Sequence, residues 1–247
     1  MNSDHLETLV LAWVKSNWKY SYVETPQILQ QINRFLGAQN CLGFVLCEET
    51  DRDGPFALLS LEIEADVQAS TLLAISGFYR HANLPLRSWL SLAFASLWFS
   101  FAPAHFDSWF NRKPKAPFQH DGVMEKRTLA ELMRKTPELR KVESEFNLVA
   151  DSMKLHTELC DFVHARGKPG LDVYLRDDSV PHFYPQHFET WLGCFVKIFE
   201  TWAILAFARY PKLFKIASHL KEKQEIVSTL SSETNSKLSL ICNLNQV

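Results

Sequence analysis

A run of nineteen residues without a charged side chain, Ser88 to Phe106, constrains the fold of this chain more than any other feature. Apolar side chains occupy every helical face of the run, including Trp89, Phe94 and Trp98. Such a helix must be enclosed, either by other helices or by lipid. The run is borderline in length for a membrane core of about 30 Å, and it contains four serines and Pro103. It therefore predicts a buried central helix over about 85–102 and no membrane span.

The segments around this run also predict helices. Pro85 lacks a backbone donor, so we expect one helix to end near His81 and the next to begin near Pro85. Capping residues and apolar periodicity at helical spacing recur along most of the chain. They predict helices over about 4–18, 26–37, 62–81, 85–102, 129–133, 137–164, 187–210 and 211–230. Residues 41–57 are compatible with either a short hairpin or an acidic loop, and 231–247 read as a loose C-terminal tail.

These elements define the fold class and the domain organisation. The prediction is an all-α multi-helix bundle built around the central helix, with residues 1–247 forming a single domain. With only 8 glycines and no evenly spaced turns, the chain does not resemble a β-sandwich or barrel. Aromatic residues make up 13% of the chain, which indicates a thick core or a large protein-binding surface.

Charge is unevenly distributed although the net charge is only −2. Residues 1–70 contain ten acidic and four basic side chains, and 1–60 form an acidic helical subregion. Residues 111–143 contain nine basic and five acidic side chains. This basic region can contact the phosphates of RNA or DNA, but solvated helix faces are charged in the same way.

Metal and cofactor chemistry has little support in the sequence. The five cysteines are scattered and form no CxxC pair, so the sequence suggests neither a zinc ribbon nor a disulfide framework. His182 and His187 lack a carboxylate or cysteine at matching spacing. No Gly-rich phosphate loop or GxSxG elbow is present. We therefore predict no metal and no cofactor. The N-terminus lacks the pattern of a signal peptide, and the protein is expected in the reducing cytoplasm.

The stretch TELCDFVHARG at 157–167 is the strongest candidate for chemistry. Thr157, Asp161 and His164 share one helix face because they are spaced i, i+4 and i+7. His164 then has two interpretations. It either takes part in proton transfer, or it forms a hydrogen bond across a helix interface and only specifies packing.

Three segments carry a resemblance to a known family: GFYRHANLPLRSWLSLAFASLWF, the following FDSWF, and LCDFVHARG. Over roughly residues 70–170 they resemble the HEPN superfamily of helical proteins, which recurs in toxin–antitoxin and anti-phage defence systems. The positions that match its pattern are Gly77, Arg80, Arg87, Asp161, His164, Arg166 and Gly167. The catalytic Arg-x4–6-His motif is absent, since Leu159 stands five residues before His164, and Ser91 occupies a position where glutamate is expected.

The resemblance implies two functions. The first is a non-catalytic interaction or regulatory subunit in a hetero-complex with protein partners. The alternative is a metal-independent ribonuclease. In the ribonuclease His164 would act as the base, Arg87 or Arg166 would stabilise the phosphate, Asp161 would fix the histidine tautomer, and Arg80 would assist phosphate binding. The departures from the catalytic motif favour the subunit.

Overall fold

The computed structural model describes residues 15–19, 26–49, 54–111, 122–163, 183–212 and 219–242. Residues 15–19 are helical. Ten further α-helices follow, with bounds α1 Pro26–Glu49, α2 Pro55–Ile75, α3 Tyr79–Phe101, α4 Pro103–Phe110, α5 Lys126–Leu132, α6 Pro137–Phe146, α7 Leu148–Val163, α8 Pro185–Arg209, α9 Leu220–Thr229 and α10 Ser232–Cys242. These residues contain no strand, and the predicted all-α bundle is confirmed.

Helices α3 and α8 form the centre of the bundle. The predicted central helix is α3, whose apolar faces pack against α2, α7 and α8. Helix α8 is as deeply buried, with Trp191, Phe195 and Trp202 each at most 1% exposed. At their C-terminal ends Arg209 of α8 donates to Ser100 Oγ of α3 at 2.9 Å and joins the two helices.

Helix α8 is the one helix among the described residues that is long and apolar enough to cross a membrane. Its most apolar window has a mean hydropathy of 1.5, and 78% of that window is buried in protein. The central helix α3, which the sequence analysis weighed as a membrane span, does not meet this criterion.

The break before α3 lies earlier than predicted. We expected Pro85 to begin the helix, but α3 begins at Tyr79 and contains Pro85. The chain turns at Gly77, whose φ of 82° lies in the left-handed region that glycine adopts at little cost. Phe78 N–H bonds to Leu73 O at 2.8 Å and Gly77 N–H to Ala74 O at 3.0 Å, which is the Schellman arrangement. Backbone caps at Gly77 therefore decide where α2 ends.

Residues 41–49 belong to a helix, in contrast to the hairpin or loop considered for 41–57. Helix α1 continues through Gly37 to Glu49. Leu42, Val45 and Leu46 are fully buried and extend the apolar face begun by Ile32 and Phe35. Burial of this continuous face outweighs the preference of about 1 kcal/mol against glycine within a helix.

The long helix predicted over 137–164 is divided in two. Asn147 lies between α6 and α7 with φ 52° and ψ 39°, a left-handed conformation that asparagine tolerates better than most residues. The carboxylate of Glu143 accepts from Val149 N–H at 3.0 Å and caps the first turn of α7. The two helices can therefore take different directions.

The predicted loose tail over 231–247 is helical from Ser232 to Cys242. Helix α10 packs on α6 and α8, and Leu238 is fully buried between them. Its Lys237 donates to Glu145 O at 3.1 Å and lies 5.3 Å from the Phe146 ring centroid. These contacts order a segment whose apolar pattern is weak. The single-domain assignment and the acidic 1–60 subregion stay predictions.

Candidate functional site

Some of the predicted site residues lie in the described part of the chain, and others do not. Arg80 and Arg87 lie on α3, seven residues apart, so they share a helix face. Asp161 lies half-buried near the C-terminal end of α7. His164 and Arg166, like Gly167, lie outside the described residues. The ribonuclease alternative requires Arg87 and His164 to lie in one site, and that arrangement stays a prediction.

Arg87 contacts a different histidine, His156 of α7. Its Nε–H donates to His156 Nε2 at 3.5 Å, a long hydrogen bond, across the interface between α3 and α7. One turn further along α7, the Sγ of Cys160 lies 3.7 Å from His156 Nδ1. Because Nε2 accepts from the guanidinium, we assign the ring proton to Nδ1, facing the sulfur. The Arg87–His156–Cys160 cluster therefore connects two helices through one imidazole.

The electrostatics of this cluster favour a neutral imidazole. Burial lowers the pKa of His156 below its ordinary value of 6.5, and the positive charge of Arg87 lowers the pKa further. The two effects act in the same direction, because both disfavour the imidazolium. His156 is therefore an acceptor for Arg87 at neutral pH.

The chemistry available to the cluster is limited by these contacts. A general base needs a lone pair directed at the proton that it removes. In His156 the lone pair on Nε2 is directed at Arg87, and Nδ1–H is directed at Cys160. The arrangement is suited to joining α3 and α7. The sequence analysis did not single out His156; the His-x3-Cys spacing of His156 and Cys160 was the available signal.

No metal site is formed by the described side chains, since no group of three His, Cys, Asp or Glu residues lies close enough to hold an ion. Of the histidine pair considered above, His182 lies outside the described residues. His187 lies near the start of α8, where burial lowers its pKa.

A cavity of about 290 Å³ lies between α7 and α8. The side chains that line it include Lys154, Glu158, Lys197 and Glu200, so both charge signs are present. Ser152 also lines it, and its buried hydroxyl has no hydrogen-bond partner in the part of the chain that the structure describes. A serine hydroxyl within a helix can rotate and donate to the carbonyl oxygen four residues earlier. The buried Ser152 hydroxyl is therefore no evidence that the cavity holds a ligand.

An exposed apolar stripe runs along α2. We define the α2 stripe by the residues that are exposed and spaced three or four apart on this helix: Leu61, Ala65, Gln68 and Leu72. Leu61 is 58% exposed and Leu72 is 50% exposed. The opposite side of α2 is buried through Leu59, Ile63 and Val67. The solvent side of α2 thus carries two exposed leucines about three turns apart, with Glu62 and Gln68 exposed beside them.

Comparisons with known proteins add no relative. No protein-family model, no curated protein and no solved structure matches this chain.

Proposed function

We propose that this protein is a non-catalytic helical interaction or regulatory subunit of a cytoplasmic hetero-complex. The observation that supports a protein partner is the α2 stripe. A helix of a soluble protein normally directs polar side chains at solvent, and leucines at helical spacing on that side mark a contact surface. A partner that buries Leu61 and Leu72 would remove apolar surface from water and gain about 25 cal/mol per Å² of it.

The cellular role that we propose is bacterial anti-phage defence or a toxin–antitoxin system. It is supported by the resemblance of residues 70–170 to HEPN proteins and by no other observation. The preference for a non-catalytic subunit is supported by the Arg87–His156–Cys160 cluster, in which the guanidinium occupies the imidazole lone pair.

Co-expression tests this proposal directly. The full-length chain is produced together with the proteins encoded by its neighbouring genes, and gel filtration identifies any stable complex. We expect the wild type to form such a complex and the Leu61→Glu/Leu72→Glu variant to elute alone while keeping its helical circular dichroism. A wild-type chain that stays monomeric with every neighbour would contradict the proposal.

A matched control uses exposed leucines on other helices. Leu220 on α9 is 41% exposed and Leu240 on α10 is 77% exposed. The Leu220→Glu/Leu240→Glu variant changes charge and hydropathy to the same extent, and we expect it to keep the complex. Equal loss in both double variants would show that the effect is not specific to α2.

A metal-independent ribonuclease is the second candidate, because Arg87 and a neutral histidine lie side by side between α3 and α7. Such a pair can bind a phosphate and accept a proton once a substrate displaces the Arg87–His156 bond. RNA cleavage that is abolished in folded His156→Ala or His164→Ala chains would favour this function. We expect no cleavage by the wild type.

A further inference from the structure

A groove of about 600 Å³ lies beside the bend between α6 and α7. Asn147 bends the chain there, and the start of α7 and helix α5 line a concave surface with α6. The residues that line the groove are Lys126, Ala130, Met133, Arg134, Arg140, Glu143, Asn147, Val149, Ala150 and Met153.

The floor of the groove is apolar and adaptable. Met133, Val149 and Met153 supply its larger side chains, with Ala150 beside them. Methionine side chains are flexible and polarizable, and they are common at surfaces that accept apolar anchors of varied shape. None of the described side chains that line the groove is aromatic, so these residues offer no stacking platform for the bases of single-stranded nucleic acid.

The rim of the groove is positively charged. Lys126, Arg134 and Arg140 are exposed on it. Arg134 is anchored because its Nε–H donates to Ala130 O at 3.0 Å, which leaves its terminal nitrogens to other acceptors. Glu143 is the acidic side chain of the lining, and its carboxylate already caps α7 through Val149 N–H. Among the described lining residues, three cations therefore face one carboxylate, which leaves a net positive charge.

One acidic side chain on α5, Glu131, is paired outside the groove. Glu131, on the same helix as Lys126, pairs with Lys135 at 3.3 Å, and Lys135 lies 5.4 Å from the ring centroid of Trp98, outside the groove. Glu131 thus balances the positive charge of Lys135 and not the positive charges on the groove rim.

We propose that this groove binds an acidic amphipathic segment of the partner protein. Apolar anchors of the segment would enter between Met133 and Met153, and its carboxylates would meet Arg134 and Arg140. Helix-in-groove binding uses this combination of an apolar face with a charged border. The inference rests on the proposed function only for the existence of a partner. It goes further by assigning the partner's chemistry and a second surface distinct from the α2 stripe.

Fluorescence anisotropy with a defined probe tests the groove. The probe is a labelled amphipathic peptide with leucines on one helical face and glutamates on the other. We expect it to bind the full-length protein, more weakly at higher salt because the charges are exposed. Its lysine-for-glutamate and serine-for-leucine analogues should not bind. Binding of the lysine analogue with equal affinity would overturn the charge argument.

Two pairs of variants locate the binding site. Arg134→Glu/Arg140→Glu should weaken probe binding at least about tenfold, whereas Arg127→Glu/Lys141→Glu, which reverses two exposed cations outside the lining, should not. Ala150→Trp fills the groove from an exposed position and should also weaken binding. Ala104→Trp, at an exposed position on α4, is its control. Equal effects of test and control variants would overturn the assignment.

Other outcomes separate the two proposals. If single-stranded RNA binds through Arg134 and Arg140 while the acidic peptide does not, the groove is a nucleic-acid surface and this inference fails. If the α2 variant loses its complex but groove variants leave peptide binding unchanged, the inference fails and the proposed function stands. If the peptide binds in the groove but no protein complex forms, the proposed function fails.

Discussion

A buried chain of hydrogen bonds joins the three helices at the centre of the fold, and it gives a stringent test of how they are held. Trp191 Nε1–H on α8 donates to Ser70 Oγ on α2 at 2.9 Å. The Ser70 hydroxyl donates in turn to Ala82 O on α3 at 2.7 Å. Ser70 is 0% exposed and Trp191 is 1% exposed, so no water can replace either partner.

Ser70→Ala should lower the free energy of unfolding by about 1–3 kcal/mol. The variant removes few atoms, so little cavity forms. It leaves the indole N–H of Trp191 buried without an acceptor, and the desolvation of that donor is then uncompensated. In a chain of this size each 1 kcal/mol shifts Tm by about 2–4 °C.

A double-mutant cycle separates the hydrogen bond from packing. Trp191→Phe removes the donor, and in the Ser70→Ala background it also removes the unpaired N–H. Its cost should therefore be about 1–2 kcal/mol smaller in that background than in the wild type. Urea denaturation followed by circular dichroism measures all four free energies. The slope of unfolding with urea should be unchanged, since the exposed surface is the same.

Trp202 supplies the matched control. Its ring is fully buried and stacks on Phe56 at 5.3 Å, but its indole N–H has no hydrogen-bond partner among the described residues. Trp202→Phe should therefore cost the same with and without Ser70→Ala. Additive losses for Ser70 and Trp191, as for this control pair, would refute the proposed role of the hydrogen bond.

Three further predictions concern α3, α6 and α7. Because burial and Arg87 lower the pKa of His156, the unfolded state takes up the proton first on acidification. Stability should fall as pH drops from about 6.5 to the lower folded pKa, and His156→Gln should flatten that part of the profile in urea denaturation at stepped pH. Arg87→Gln should raise the pKa of His156 towards its ordinary value, measured by NMR titration of the ring protons; an unchanged pKa would mean that the guanidinium exerts no charge effect. Asn147→Gly should leave stability nearly unchanged, whereas Asn147→Ala should cost about 1 kcal/mol, because alanine is strained at positive φ; equal melting temperatures would contradict this assignment.

The fold class was predictable because burial dominates it. Outside lipid, the uncharged run around Trp89 and Leu97 is stable only when other helices surround it. Helix α3 is surrounded in this way. Helix ends were less predictable, since backbone conformation decides them. Gly37 continues α1, Gly77 ends α2 and Pro85 lies within α3, so the same residue types have opposite outcomes. Tertiary contacts that a local pattern does not encode select between these outcomes.

The candidate site was less predictable still. The sequence singled out Arg87, and the structure places it against His156, a residue that the sequence analysis did not single out. The partner across a helix interface depends on the register of α3 against α7, which helical spacing within either element does not determine. The groove depends on the bend at Asn147, and a pattern that reads as one continuous helix conceals that bend.

The position of α8 in the chain has a consequence for synthesis. This helix contacts α1, α2, α3, α6, α7 and α10, yet most of these partners precede it. Once Phe101 has been added to the growing chain, the residues up to Arg209 remain to be made, which takes roughly 5–20 s at about 5–20 residues per second. Throughout that interval the apolar faces of the earlier helices have no central partner. Nascent chains that stop before Pro185 should therefore depend on chaperones or aggregate.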